Sequence, residues 1–191
     1  MDCREEVYFK EFSGRDYEYF VLGADVGGTN TNMAVCGVKD KKPILIFSHH
    51  FQTLQLTSLS DAINETLKTA KERFNIEVEK ACIAGPGPVS PDHSYLRVFL
   101  KANWDIDANN ILKQTMLKSV FIINDFDAIG FGINLLDKEN EKDLITIPHP
   151  NNYLPKPFEK GVINPMRAFG RNQTGVQVSS FRIWGLLISN I

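Results

Sequence analysis

Residues 23–30 read Gly-Ala-Asp-Val-Gly-Gly-Thr-Asn and join two apolar runs, Tyr19-Phe20-Val21-Leu22 and Met33-Ala34-Val35-Cys36-Gly37-Val38. Both runs have strand character, so the chain must turn within a few residues. Gly27 and Gly28 let the backbone approach an anion closely and take up φ > 0. Successive N–H groups in such a turn form a concave anion site, and Thr29 and Asn30 add side-chain donors. Asp25 would repel a phosphate if left bare; its natural use is to hold Mg²⁺, directly or through water, so that the ion neutralises the phosphates. The segment reads as a phosphate cradle, and equally as a plain hairpin turn, in which the same residue types dominate. It is neither a P-loop, which needs Gly-Lys-Ser/Thr opening a helix, nor the Gly-x-Gly-x-x-Gly dinucleotide fingerprint.

The surrounding pattern gives an α/β layered domain with a mixed sheet. Residues 1–18 read as a polar leader, and strands follow at about 19–26, 31–38 and 43–51, with Lys39-Asp40-Lys41-Lys42-Pro43 turning the second into the third. A helix at about 58–74 is capped by Ser58 or Ser60 and carries Leu59, Ala62, Ile63, Leu67, Ala70 and Phe74 on one face. Lys80-Ala81-Cys82-Ile83-Ala84 is a short buried strand ending in the rigid loop Gly85-Pro86-Gly87-Pro88. Residues 95–100 form another strand, and Asp105 or Asp107 caps a helix to about 117 with Ile106, Ile111, Leu112 and Met116 inward. Ser119-Val120-Phe121-Ile122-Ile123 is continuously apolar, as in a strand buried on both faces, and a helix runs from about Phe126 to Leu135.

Between these last two elements lies Asn124-Asp125. The carboxyl end of a strand in an open α/β sheet is where ligands bind. Asp125 there is either a site residue or the N-cap of the following helix. Asn103-Trp104 also follows a strand; Trp104 either stacks on a sugar or anchors the core, and Asn103 can donate to and accept from hydroxyls.

Composition excludes several classes. A net charge of −2 over 191 residues offers no basic surface for nucleic acid or a membrane. Cys3, Cys36 and Cys82 form no close pair and the four histidines show no metal spacing, so a reducing, cytoplasmic setting is expected without disulfides or zinc. The charged N-terminus is no signal peptide, and no run approaches transmembrane length.

Four segments together resemble the bacterial-type glucokinase family, of the actin/hexokinase/sugar-kinase (ribonuclease-H-like) fold. Asp25-Val26-Gly27-Gly28-Thr29-Asn30 resembles its first phosphate motif, and residues 81–89 its second strand and Pro-containing loop. Asn103-Trp104 resembles its Asn-x-x-Trp region without the two intervening residues, and Ile122-Ile123-Asn124-Asp125-Phe126 with Ala128 its sugar-binding and catalytic segment. The resemblance covers about residues 19–147 and implies an N-terminal kinase domain acting on ATP, Mg²⁺ and glucose or a related hexose. It makes Asp125 the general base for the sugar 6-hydroxyl and Asn124 and Asn103 sugar ligands. It assigns Asp25 to Mg²⁺ and turns Gly27, Gly28, Thr29 and Asn30 toward the ATP phosphates.

The family's second domain, with a Gly-Thr-Gly phosphate loop, an adenosine pocket and a Glu and a His gripping glucose, has no counterpart in the sequence. Residues 148–163 read as a linker or crossover. Residues 164–191 lack Asp, Glu and Lys although the chain has 23 acids, which predicts that the reading frame leaves the family near Gly161 to Asn164. The expectation is a chain with little kinase activity by itself, prone to association through an exposed sheet face and an apolar tail, with a homodimer as one outcome. The competing readings are a sugar-binding or regulatory protein on the same fold, a kinase for another hexose, and a non-functional fragment.

Overall fold

The structure, a computed structural model, describes residues 3–9, 12–98 and 104–133. Its strands are β1 (Cys3–Val7), β2 (Tyr19–Val26), β3 (Asn30–Lys39), β4 (Lys42–Gln52), β5 (Lys80–Gly85), β6 (Tyr95–Leu96), β7 (Ile106–Asp107) and β8 (Ser119–Asn124). Its helices are α1 (Leu59–Phe74), α2 (Ala108–Gln114) and α3 (Asp125–Gly132). The main sheet has the order β1-β4-β3-β2-β5-β8. Pairing is antiparallel from β1 through β2 and parallel from β2 through β5 to β8. Strands β6 and β7 form a separate antiparallel pair.

Local chemistry sets the connections. β3 turns into β4 through Asp40 and Lys41, both left-handed at φ 51° and 60°. Two residues of that conformation match the twist of the flanking strands. Glu18 secures the turn by accepting the Asp40 N–H at 3.0 Å. α1 begins where Ser58 Oγ accepts the Asp61 N–H at 3.2 Å and ends at Asn75, left-handed at φ 53°.

α1 covers one face of the sheet. Leu59, Ala62, Ile63 and Ala70 join Met33, Phe47, Phe51 and Leu22 in one buried cluster. Each fully buried large side chain in it, such as Phe47 or Ile63, contributes about 1.5–3 kcal/mol over its exposed state. The opposite face carries a second cluster of Val21, Cys36, Val38, Cys82, Ala84 and Ile123, with Ala128 of α3. Burial pushes the Cys36 and Cys82 thiols up to about 12, which makes them inert.

Several expectations change. The segment read as a leader contains β1, whose Glu5 faces the buried His49 and pairs with Arg73 of α1. The face expected to be exposed is buried at Val21, Cys36 and Cys82. Among the described residues β8 ends the sheet, so only Ile122 and Ile123 are buried, while Phe121 is exposed and stacks on His93. An apolar run alone cannot tell a central strand from an edge strand. The strand expected at 95–100 is regular only over Tyr95–Leu96, and residues 99–100 lie outside the described residues. Met116, expected inward, is 87% exposed, because α2 stops at Gln114 and carries it off the helical face. The tail lies outside the described residues.

Candidate active site

The turn between β2 and β3 is braced from behind. Gly27 N–H donates to Asn30 O at 2.9 Å, and Thr53 N–H donates to Thr29 O at 2.9 Å. Thr53 Oγ1–H donates to Gly27 O at 2.7 Å, which leaves the Thr31 hydroxyl, 2.9 Å away, to donate to Thr53 Oγ1. Gly28, Thr29 and Asn30 are exposed, while Thr31 and Thr53 are fully buried. The expected φ > 0 is adopted by neither Gly27 nor Gly28. Gly27 is needed for close approach instead: a Cβ there would lie 2.9 Å from Asn30 O.

Asp25 sits half-buried at the end of β2, in register with Asn32 of β3. Asn32 Nδ2–H donates to Asp25 Oδ2 at 3.4 Å. Burial pushes the Asp25 carboxyl up, the Asn32 bond opposes that, and the charge of Asp125 adds to it. The Asp125 carboxyl is also raised, chiefly by burial, against hydrogen bonds from backbone N–H groups. Register brings the pair together. Asp25 lies beside Ala84 of β5, Ala84 beside Ile123 of β8, and Asp125 follows two residues on. Two strand spacings, about 10 Å, separate their backbones laterally.

At the second strand end, Asn124 and not Asp125 is the N-cap of α3. Its Oδ1 accepts the Phe126 N–H at 2.9 Å, and its Nδ2 donates to Gly87 O at 3.0 Å. An amide has two N–H groups and two oxygen lone pairs, so one of each is left for a ligand. Asp125 Oδ1 also accepts the Phe126 N–H, at 2.9 Å. The loop that holds Asn124 turns on Gly87 at φ 150°, where a Cβ would meet Arg97 O at 2.2 Å. Trp104 resolves toward the core: its Nε1–H donates to Leu56 O at 3.3 Å and its ring packs on the main cluster. Asn103 lies outside the described residues.

Among the described residues no three His, Cys, Asp or Glu side chains are placed to share a metal ion, and no helix is long and apolar enough to cross a membrane. What Asp25 and Asp125 do offer a Mg²⁺ ion is negative charge that their surroundings leave under-compensated. Mg²⁺ is commonly held by one or two carboxylates together with substrate phosphates and water, so the donor set fits. An open hollow of about 400 Å³ lies on the β1 side of the cradle, lined in part by Arg4, Asn30, Asn32, His50 and Gln52.

Sequence reasoning missed Thr31, Asn32, His50 and Thr53. Asn32 could have been found, since period-two alternation puts it on the same face of β3 as Asn30. The other three depend on the β3–β4 register.

The antiparallel meander running into parallel strands, with flanking helices, matches the fold of solved sugar-kinase structures. The glucokinase family profile matches residues 22–158, and the chain belongs to that family. Glucokinase from Nostoc sp. is 27% identical over 128 residues, which are 66% of this chain and 35% of that protein. The chain thus spans about a third of the length of the curated relatives it matches. The crystal structure of glucokinase from an Antarctic psychrotroph superposes with a TM-score of 0.53 at 25% identity, over 62% of this chain and 36% of that one. A ROK-family transcriptional regulator, a homologue of the E. coli MLC protein, shares the fold with a TM-score of 0.51 at 16% identity, over 63% of this chain and 31% of that one.

Proposed function

We propose that the described residues form the sugar- and phosphate-binding lobe of a hexose kinase, which transfers the terminal phosphoryl group of ATP to the 6-hydroxyl of glucose in the cytoplasm. The observation that carries this reading is the register that sets Asp25 at the end of β2 and Asp125 just past the end of β8, on the same edge of the sheet with β5 between them. Asp125 accepts the proton of the sugar hydroxyl as its oxygen bonds to phosphorus; a carboxylate is too weak a base to remove it beforehand. Asn124 offers its remaining N–H and lone pair to sugar hydroxyls, and Asn103 is a further sugar ligand on the resemblance alone. Gly28, Thr29 and Asn30 would face the phosphates, Gly27 would shape the turn that presents them, and Asp25 would hold Mg²⁺. The ion neutralises phosphate charge when bound.

The described residues cannot by themselves close over both substrates, and closure is how such kinases exclude water. In a coupled assay with glucose and MgATP the 191-residue chain is therefore expected to turn over below ~1 s⁻¹. Glucose binding, followed by calorimetry, should persist and weaken in Asn124→Ala. Faster turnover that disappears in Asp125→Asn would show that the chain is a complete kinase and sink the half-site reading.

The fold is shared with a transcriptional regulator, so a non-enzymatic sugar-binding role is the second reading. It predicts glucose binding indifferent to Asp25→Asn and no response to MgATP. The kinase reading predicts that MgATP tightens glucose binding and that Asp25→Asn removes this effect.

A further inference from the structure

We propose that Asn32 and His50 form a positioning relay that aims the Asp25 carboxylate, anchored on the N-terminal strand β1. The proposal rests on the reading of Asp25 as the Mg²⁺-holding carboxylate. It begins from the length of one bond: Asn32 Nδ2 reaches Asp25 Oδ2 only at 3.4 Å, the long end of hydrogen bonding, so whatever sets the Asn32 amide sets that contact.

His50 sets it. Its Nδ1 lies 2.8 Å from Asn32 Oδ1, and since an amide oxygen only accepts, the proton is on Nδ1. Burial holds the ring below its ordinary pKa despite the nearby Glu6, with Arg4 adding to the depression, so the neutral ring carries that one proton. Nε2 is then an acceptor for the Ser48 hydroxyl at 3.1 Å, and Ser48 Oγ lies 3.2 Å from Tyr8 OH. Tyr8 has one hydroxyl proton, which completes the line when it goes to Ser48 Oγ; Glu6, whose backbone is in register with Ser48, is the competing acceptor at 3.1 Å. The bonds run in one line across one face of the sheet, from β2 through β3 and β4 to β1 and the residue after it.

Three of these side chains, Glu6, Tyr8 and Arg4, precede residue 22, where the family match begins. The relay therefore couples a segment outside that match to the phosphate turn inside it. The Nδ1–H form is the uncommon one for a free imidazole; the fixed Asn32 amide, with its donor turned to a carboxylate, imposes it.

Two measurements on the full chain test the relay. Ring ¹⁵N shifts at neutral pH should give the Nδ1–H tautomer for His50 and the Nε2–H tautomer in Asn32→Leu. Mn²⁺ binding in the presence of ATP, read by water-proton relaxation, should be lost in Asp25→Asn and weakened about tenfold in His50→Leu, the usual scale for a partner behind a metal ligand. His50→Asn keeps an N–H near the Nδ1 position and should restore most of that affinity. An Nε2–H tautomer in the unmodified chain overturns the relay without any variant. So does unchanged Mn²⁺ binding in His50→Leu where Asp25→Asn abolishes it. Identical binding by the unmodified chain and Asp25→Asn overturns the metal role of Asp25, and the relay falls with it.

Discussion

The antiparallel and parallel halves of the sheet hold their carboxylates by different means. Asp25 is fixed by tertiary contacts: Asn32 across the strand pair, His50 behind it, and the turn braced by Thr53. Asp125 is fixed through its neighbour: Asn124 caps the helix that Asp125 opens, and its amide reaches 37 residues back to the loop at Gly87. A carboxylate held by a helix cap and one adjoining loop stays placed as long as that loop and its own strand end are intact. One held by distant side chains inherits the register of every strand between.

That contrast can be broken at three points. The largest effect is expected for Gly87→Ala, where a left-handed φ and a backbone clash coincide, costing about 3 kcal/mol or more in urea unfolding. It should also weaken glucose binding, because Gly87 O is what the Asn124 amide grips. Next is Thr53→Val, which leaves Gly27 O and the buried Thr31 hydroxyl without their partner and costs about 1–3 kcal/mol. It should loosen the cradle and leave glucose binding alone; an equal loss of both would mean the two halves do not act separately.

The smallest effect has the opposite sign. The Asp25 carboxyl is raised in the fold, so its contribution to stability is fully present below the unfolded value of about 3.9 and lost as pH rises through the folded value. At neutral pH the ionised group is a net cost, and Asp25→Asn should be more stable than the unmodified chain by about 0.5 kcal/mol. The gap should narrow as pH falls toward 4, read from urea midpoints at the two pH values. A constant gap would mean that burial of Asp25 carries no charge penalty.

What the sequence made legible was chiefly local. Ser58 caps α1, Asp40 and Lys41 turn β3 into β4, and both carboxylates stand at the strand ends marked by the apolar runs before them. The helix from Asp105 or Asp107 is real, with Asp107 as its cap, because side-chain capping needs only neighbours in the chain. What stayed hidden was pairing. Nothing near Cys3–Val7 says that it lies against residues 47–51, and so nothing pointed to His50 as the neighbour of Asn32 or to β1 as more than a leader. The apolar run of β8 misled for the same reason: its composition suits an interior strand, but among the described residues its place in the order is an end.

Strand β1, at the edge of the sheet among the described residues, has a consequence for how the chain is handled. It is made some forty residues before its partner β4, so during that part of translation it has nothing to lie on. Until it docks, the eleven-residue β4 offers a long open row of backbone donors and acceptors, the kind of edge that recruits strands from other molecules. A bulky fusion ahead of Cys3 would prolong that interval, and inclusion-body yield should follow the choice of tag end more closely than any substitution of Asp25 or Asp125.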